Sequence, residues 1–191
     1  MPSGLCRSSP TDARSLQRRI DGKTHKTESG ADYYAVNPKG QVPALQLEDA
    51  QVLTEGAVIV QYLADLKPEA KLAPANGTWE RYRLQEWLNF VATELHKGFS
   101  PLFNPKFTGE LRQAAMDRLA QRLDHVEAAL SKSPFLMGQG FSVADAYLFT
   151  ILTWSKRGEL DLSRWPAITA FVASMRARPS VQAAMKAEGL S

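Results

Sequence analysis

Apolar positions fall into two regimes along the chain. Up to about residue 66 the apolar runs are short. Val42, Ala44, Leu45 and Leu47 make one strand-like run, and residues 43–47 and 51–53 are separated by Glu48-Asp49-Ala50, a gap of hairpin length. Thr54 then stands where it could cap a helix in which Val58, Ile59, Tyr62 and Leu63 recur at helical spacing, with Pro68 ending the run. Residues 67–78, with Pro68, Pro74, Asn76 and Gly77, read as a linker. Beyond it the period is helical throughout. Leu84, Trp87, Leu88, Val91 and Leu95 stripe a helix over 79–100 that Pro101 and Pro105 break. Leu111, Ala115, Leu119, Leu123, Val126 and Leu130 stripe another over 109–131. Ser142-Val143-Ala144-Asp145 has the form of a capping box, and the helix it opens, to Trp154, is apolar nearly all round, as in the centre of a bundle. Pro166 and Pro179 are placed as first-turn residues of two final helices.

The pattern predicts a small α/β unit over 1–66, a linker over 67–78 and an all-helical unit over 79–191. Residues 1–30 are poor in strand formers. A weak helix over about 12–21 is supported by Ala13, Leu16 and Ile20, and residues 21–32 hold no apolar run.

Composition narrows the function classes. The 191 residues, 44% hydrophobic and 23% charged, fit a soluble protein of one large or two small domains. No apolar run reaches the roughly 18 residues of a membrane span, and no h-region of a signal peptide is visible at the start. One cysteine, Cys6, excludes an internal disulfide framework and a Cys-rich zinc site, and it fits a reducing compartment. The net charge of +3 is confined to residues 1–30, which carry six basic and three acidic side chains. Without interleaved aromatics that cluster is read as a solvated face rather than a nucleic-acid site.

The candidate chemistry centres on Asn37-Pro38-Lys39-Gly40-Gln41-Val42-Pro43-Ala44-Leu45. Asn-Pro and Lys-Gly are turn signals, and Pro43 stands at a strand mouth, where its missing N–H costs no ladder bond. An X-Pro bond there can also be cis, which would leave the backbone of Val42 to pair with something extended. Glu55 has two readings, an acid complementing a helix dipole or a partner for a ligand's ammonium group. Asn89 and His96 are seven residues apart, two helical turns, so they share a face offset from the apolar stripe. His125 has no motif around it and is read as a surface or packing residue.

Asn37–Leu45, Leu53-Thr54-Glu55-Gly56, Glu86-Trp87-Leu88-Asn89, Thr93–Phe99 and Phe141–Thr150 together resemble a bacterial beta-class glutathione transferase, from about Glu28 to Ser191. The resemblance implies a thioredoxin-like N-terminal domain joined to an all-α C-terminal helical bundle domain. It implies conjugation of the glutathione thiol to small hydrophobic electrophiles, a detoxification activity, in a cytoplasmic homodimer. Glutathione would be the co-substrate, with no metal, no nucleic acid and no membrane partner. By the same resemblance Pro43 is cis, the backbone of Val42 pairs with the cysteinyl part of glutathione, and Glu55 with the backbone at Gly56 holds the γ-glutamyl end. Asn89, His96 and Lys97 point toward the sulfur. Cys6 is the cysteine beside that sulfur, within a Gly-x-Cys turn, and its alternative is a free thiol in a tail. His25 falls where the family places a lysine for the glycyl carboxylate, with Lys26 as its substitute. Phe99–Phe107 and Trp154 contribute to the wall for the electrophile, and Ser142 and Asp145 are structural caps.

The N-terminus departs from the family pattern. Met1-Pro2-Ser3 is too short for the first strand, and the second strand's alternation is missing between about 21 and 30. The expected sheet is therefore incomplete. That motivates a second reading, a transferase-like ligand-binding or interaction module with little or no catalysis.

Overall fold

The computed structural model describes residues 5–7 and 20–190. The chain divides into two compact units, one up to Lys67 and one from Pro68.

The first unit is built on a three-stranded sheet in the order β1-β2-β3, with β1 at Leu5–Arg7, β2 at Ala44–Gln46 and β3 at Val52–Thr54. β2 and β3 form the expected hairpin, with Leu45 opposite Leu53, and Leu47 and Gln51 close the turn. β1 lies parallel to β2, with Cys6 opposite Leu45. This corrects two expectations: Cys6 sits in a strand rather than in a turn, and the first strand is present although only three residues long. The physical reason is the environment of β2. Ala44 and Leu45 are fully buried, and buried backbone amides need partners on both edges of the strand. A second strand is not formed between residues 21 and 32, where the described residues make only isolated bridges, Ile20 with Thr27 and Lys26 with Asp32. The weak helix expected over about 12–21 falls almost wholly outside the described residues. Ile20, Tyr33 and Ala44 form a small core under Val36, Val42 and Val52.

Helix α1, Gly56–Asp65, follows β3 directly and packs on β2 and β3. Thr54 does not cap it: the capping position is Glu55, which makes no side-chain cap bond, and Thr54 ends the strand instead. Of the expected apolar stripe Ile59 is buried, whereas Val58 and Leu63 are exposed, because α1 meets the sheet along a narrower face than its four apolar positions span.

The second unit is helical. Thr78 caps α2, Trp79–Phe90, by accepting from the Arg81 N–H at 3.2 Å. The helix does not run on regularly. Residues Val91–His96 are π-helical, Lys97–Phe99 return to α geometry, and Ser100–Phe103 tighten into a 3₁₀ turn that contains Pro101. Helix α3 spans Gly109–Leu130, α4 Val143–Leu152, α5 Pro166–Arg176 and α6 Pro179–Ala187. Leu84, Leu88, Val91, Leu95, Leu119, Leu123, Leu148, Ile151 and Ile168 form the centre of the bundle. Leu111, expected in the stripe of α3, is exposed near the helix start.

Asp145 organises the start of α4. It is fully buried and accepts from the Ser142 N–H, the Ser142 hydroxyl and the Leu136 N–H, each at 2.8 Å. Burial raises its pKa against the pull of those donors. The sequence signature of a capping box is therefore a buried junction that also ties down the preceding loop. Helix α5 is capped from a distance. Its own N-cap position, Trp165, offers no side-chain acceptor, and Glu127 of α3 instead accepts from Ala167 and Ile168 N–H, both at 2.9 Å.

Candidate active site

In the first unit the motif around Pro43 is a folded device. Asn37 is buried, and its side chain donates to the Gln41 carbonyl at 2.6 Å while accepting from the Lys39 N–H at 3.1 Å. The Tyr33 hydroxyl donates to the same Gln41 carbonyl at 2.8 Å. Gly40 has φ +65°, and a Cβ there would lie 2.6 Å from Tyr34 Cε1. The loop is thus held from inside, and it delivers Val42 and the cis Val42–Pro43 bond to the start of β2. Asn37 and Tyr33 are positioning residues that sequence reasoning missed. The Asn-Pro pair was legible as a turn, but the side-chain bond to Gln41 depends on the closed loop.

Glu55 stands at the same end of the hairpin, because Ala44 pairs with Thr54. Its backbone has φ +70° and ψ 112°, a conformation that side-chain-bearing residues rarely adopt. Its carbonyl accepts from Val58 and Ile59 N–H, while the N–H groups of Gly56 and Ala57 make no hydrogen bond among the described residues. The carboxylate is exposed and makes no cap bond. It is paired with Lys39 Nζ at 2.9 Å, and Lys39 also donates to Thr54 Oγ1 at 3.0 Å. An acid retained for the helix dipole alone would face the helix end without needing a positive φ. Lys39 is a neighbour of Glu55 that spacing could not reveal.

His25 has φ +53° and packs its ring on Tyr34 at 4.7 Å, with Nδ1 enclosed and without a hydrogen-bond partner. Lys26 is exposed beside it. For Cys6 the structure gives the backbone register opposite Leu45.

In the second unit His96 ends the π-helical segment. Its Nδ1 lies 2.8 Å from the Tyr147 hydroxyl of α4, and its ring meets Trp154 edge-on at 4.8 Å. Burial, and then the Lys97 cation, lower its pKa, so the imidazole is neutral at neutral pH. Trp154 also meets Phe99 and Phe103 edge-on, and Arg157 lies over Phe103, giving an aromatic wall beside the histidine. Lys97 and Asn89 are exposed.

The shared face inferred for Asn89 and His96 is corrected here. It assumed a regular α-helix, but a π turn takes an extra residue, which rotates the residues beyond it by about 100°. Glu94 anchors this segment through Arg122 Nε at 2.7 Å, with Arg118 at 3.9 Å. Arg122 holds the Glu94 carboxyl below its usual range. His125 is exposed and packs against Trp87 and Phe90, in keeping with a packing role.

Among the described residues no three His, Cys, Asp or Glu side chains are grouped to hold a metal, and no helix is long and apolar enough to cross a membrane.

Comparison with known proteins bears on the whole chain. The family model described as glutathione S-transferase, N-terminal domain, matches residues 18–66, and that of the C-terminal domain matches residues 90–179. Glutathione S-transferase GstA of Escherichia coli O157:H7 is 49% identical over 90% of this chain and 85% of its own. The bacterial beta-class glutathione S-transferase of Sphingomonas chungbukensis superposes with a TM-score of 0.87 at 44% identity, covering 91% of this chain and 87% of that one. A sphingomonad glutathione S-transferase solved with glutathione gives 0.86 at 41%, with the same coverage. The hairpin that presents Val42 and Glu55, the helical unit and these likenesses agree: the chain belongs to the glutathione S-transferase family, with bacterial beta-class enzymes among its structural neighbours.

Proposed function

We infer that this chain is a glutathione transferase that joins the glutathione thiol to electrophilic substrates. The observation that carries the reading is the 49% identity to the GstA transferase over 90% of the chain. In the reaction the thiol gives up its proton to solvent. The thiolate lone pair then forms the new C–S bond, and the electrophile's leaving group departs with its bonding electrons. The protein's part is to bind the peptide, favour the thiolate and keep both reactants in place.

The roles of individual residues form part of the same proposal. The backbone of Val42, beside cis Pro43, pairs strand-like with the cysteinyl part of glutathione, a short β-augmentation. Glu55 takes the γ-glutamyl ammonium, and the unbonded N–H at Gly56 takes the adjoining carboxylate. His25, or Lys26 beside it, serves the glycyl carboxylate. Cys6, His96, Lys97 and Asn89 act at the sulfur, His96 as a neutral hydrogen-bond donor. The aromatic wall of Phe99, Phe103 and Trp154 favours a hydrophobic electrophile. The working form is a homodimer, a reading supported by the exposed Val58 and Leu63 on α1. We place it in the cytoplasm, where a reducing environment keeps glutathione and Cys6 as thiols.

Glutathione-agarose retention and conjugation to an activated aryl halide test the function. We expect retention, elution by free glutathione, and product formation above the buffer rate. A folded protein that neither binds the resin nor forms product overturns the reading. Cys6→Ala and His96→Ala test the roles: if neither changes affinity or turnover, the assignments at the sulfur are wrong.

A further inference from the structure

Lys39 and Glu55 form an opposed pair of charges at the start of α1, and both lie in the first unit. Lys39 Nζ donates to Glu55 Oε1 at 2.9 Å and to Thr54 Oγ1 at 3.0 Å. An ammonium carries three protons, so one is left for a further acceptor. Glu55 Oε2 makes no hydrogen bond among the described residues, and neither do the N–H groups of Gly56 and Ala57. Within the same residues Lys39 has no other acid, and Glu55 no other cation, at ion-pair distance. The pair is held by its surroundings. The Lys39 N–H is bound to Asn37 Oδ1 at 3.1 Å, Asn37 is buried, and Thr54 is paired with Ala44 of β2. Both charged heads are nonetheless more than half exposed, so a ligand reaches them without opening the fold.

The end group of an α-amino acid is a dipole of the same kind. Its ammonium and carboxylate are joined through one carbon, which sets nitrogen and oxygen about 3 Å apart by ordinary bond lengths. That span matches the 2.9 Å of the Lys39–Glu55 pair. Laid antiparallel, with ammonium against Glu55 and carboxylate against Lys39, the two dipoles make a ring of four charges that alternate in sign. Each charge then has two opposite neighbours, and no like charges are adjacent. A ligand with the ammonium alone would set a second cation beside Lys39, and one with the carboxylate alone a second anion beside Glu55. The arrangement therefore discriminates in favour of the complete zwitterion.

We propose that Lys39 is a binding and specificity residue that forms, with Glu55, a clamp for the zwitterion at the γ-glutamyl end of glutathione, its Nζ taking the α-carboxylate. The inference rests on the role given to Glu55 and Gly56 in the proposed function. It adds a side-chain cation to a subsite that otherwise meets the ligand's carboxylate with backbone alone. A carboxylate has two oxygens, so Lys39 and the Gly56 N–H take one each. Lys39 keeps its bond to Glu55 when the ligand binds, so the pair is not a contact that the ligand has to break.

Titration calorimetry on the full-length protein tests this with tripeptides that differ only at the first residue. They are glutathione, its 4-aminobutyryl analogue without the α-carboxylate, and its glutaryl analogue without the ammonium. Lys39→Met keeps most of the side-chain stem and removes the charge. We expect it to weaken glutathione binding about three- to fivefold, the worth of one partly exposed charge contact, and not to weaken binding of the 4-aminobutyryl analogue. An equal loss for both peptides shows that Lys39 acts by holding the loop. A gain for glutathione shows that it competes with the ligand's ammonium, and a silent variant leaves an ordinary surface ion pair. Each of these overturns the proposal and leaves the Glu55 role standing. Glu55→Gln reads that role separately: it should erase the wild-type preference for glutathione over the glutaryl analogue. If that preference is absent, or survives Glu55→Gln, the Glu55 assignment fails and the clamp with it. An unchanged melting temperature in Lys39→Met separates a lost contact from loss of fold.

Discussion

Lys39 Nζ lies 2.9 Å from Glu55 Oε1, closing the loop before β2 onto the residue that opens α1. Both side chains are more than half exposed, at 54% and 62%, so the pair contributes little to folding. Lys39→Ala is expected to change stability by no more than about 0.5 kcal/mol in urea unfolding. Glu55 is held at a positive φ without capping its helix. Glu55→Gly should therefore be stabilising by about 1 kcal/mol, through relief of backbone strain, while weakening glutathione binding about tenfold or more in titration calorimetry. Loss of stability together with affinity would show that Glu55 is a structural residue.

Gly40 occupies a position that no other residue fills without displacement. Its φ is +65°, and a Cβ at this position would come within 2.6 Å of Tyr34 Cε1. Gly40→Ala thus combines backbone strain with a shift of a ring already packed on His25. A loss of about 1–2 kcal/mol is expected. Because the loop delivers Val42, affinity for glutathione should fall as well. Thermal melts with and without glutathione measure both.

Glu127 should be worth more to α5 than any residue of that helix's own start. Its two oxygens accept from the N–H groups of Ala167 and Ile168, and Trp165 supplies no substitute. Glu127→Ala is expected to cost about 1–3 kcal/mol, and Glu127→Gln, which keeps one acceptor, less. Urea unfolding of the two variants gives the order, and equal losses would contradict the cap.

The π-helical segment should loosen in acid. The side-chain hydrogen bond from Arg122 is the main cause that depresses the pKa of Glu94 below its ordinary 4.5. A depressed folded-state pKa means that the contribution is complete above the unfolded value and is lost as pH falls from about that value through the folded one. Glu94→Gln should therefore flatten the acid limb of the stability profile. Unfolding midpoints measured from pH 6 to pH 3, where both limits are about one to two units from the carboxylate range, test this. An unchanged slope in the variant would remove Glu94 from the account.

The patterns that proved legible along the chain are those whose causes lie within a few residues. Hydrophobic spacing located the β2–β3 hairpin and the helices of the second unit, because side chains three and four apart share a helical face wherever the helix is regular. Ser142 and Asp145 announced a helix start because a capping box is closed within four residues. The motif from Asn37 to Leu45, with Glu55, carries the family resemblance, and it is that resemblance that implies the cis Val42–Pro43 bond. Local spacing misled where regularity failed. The π turn takes His96 off the face of Asn89, and the backbone turns into α1 at Glu55, one residue after Thr54. Other features were set only by tertiary structure. Lys39 reaches Glu55, Glu127 caps α5, Tyr147 meets His96, and β1 forms against a buried β2. Each joins groups that are distant in sequence, and each exists because a buried or converging polar group takes its partner from whichever element packing brings near. Sequence alone therefore determined the β2–β3 hairpin, the helices of the second unit and the family motif, while packing decided which side chains hold Glu55 and His96.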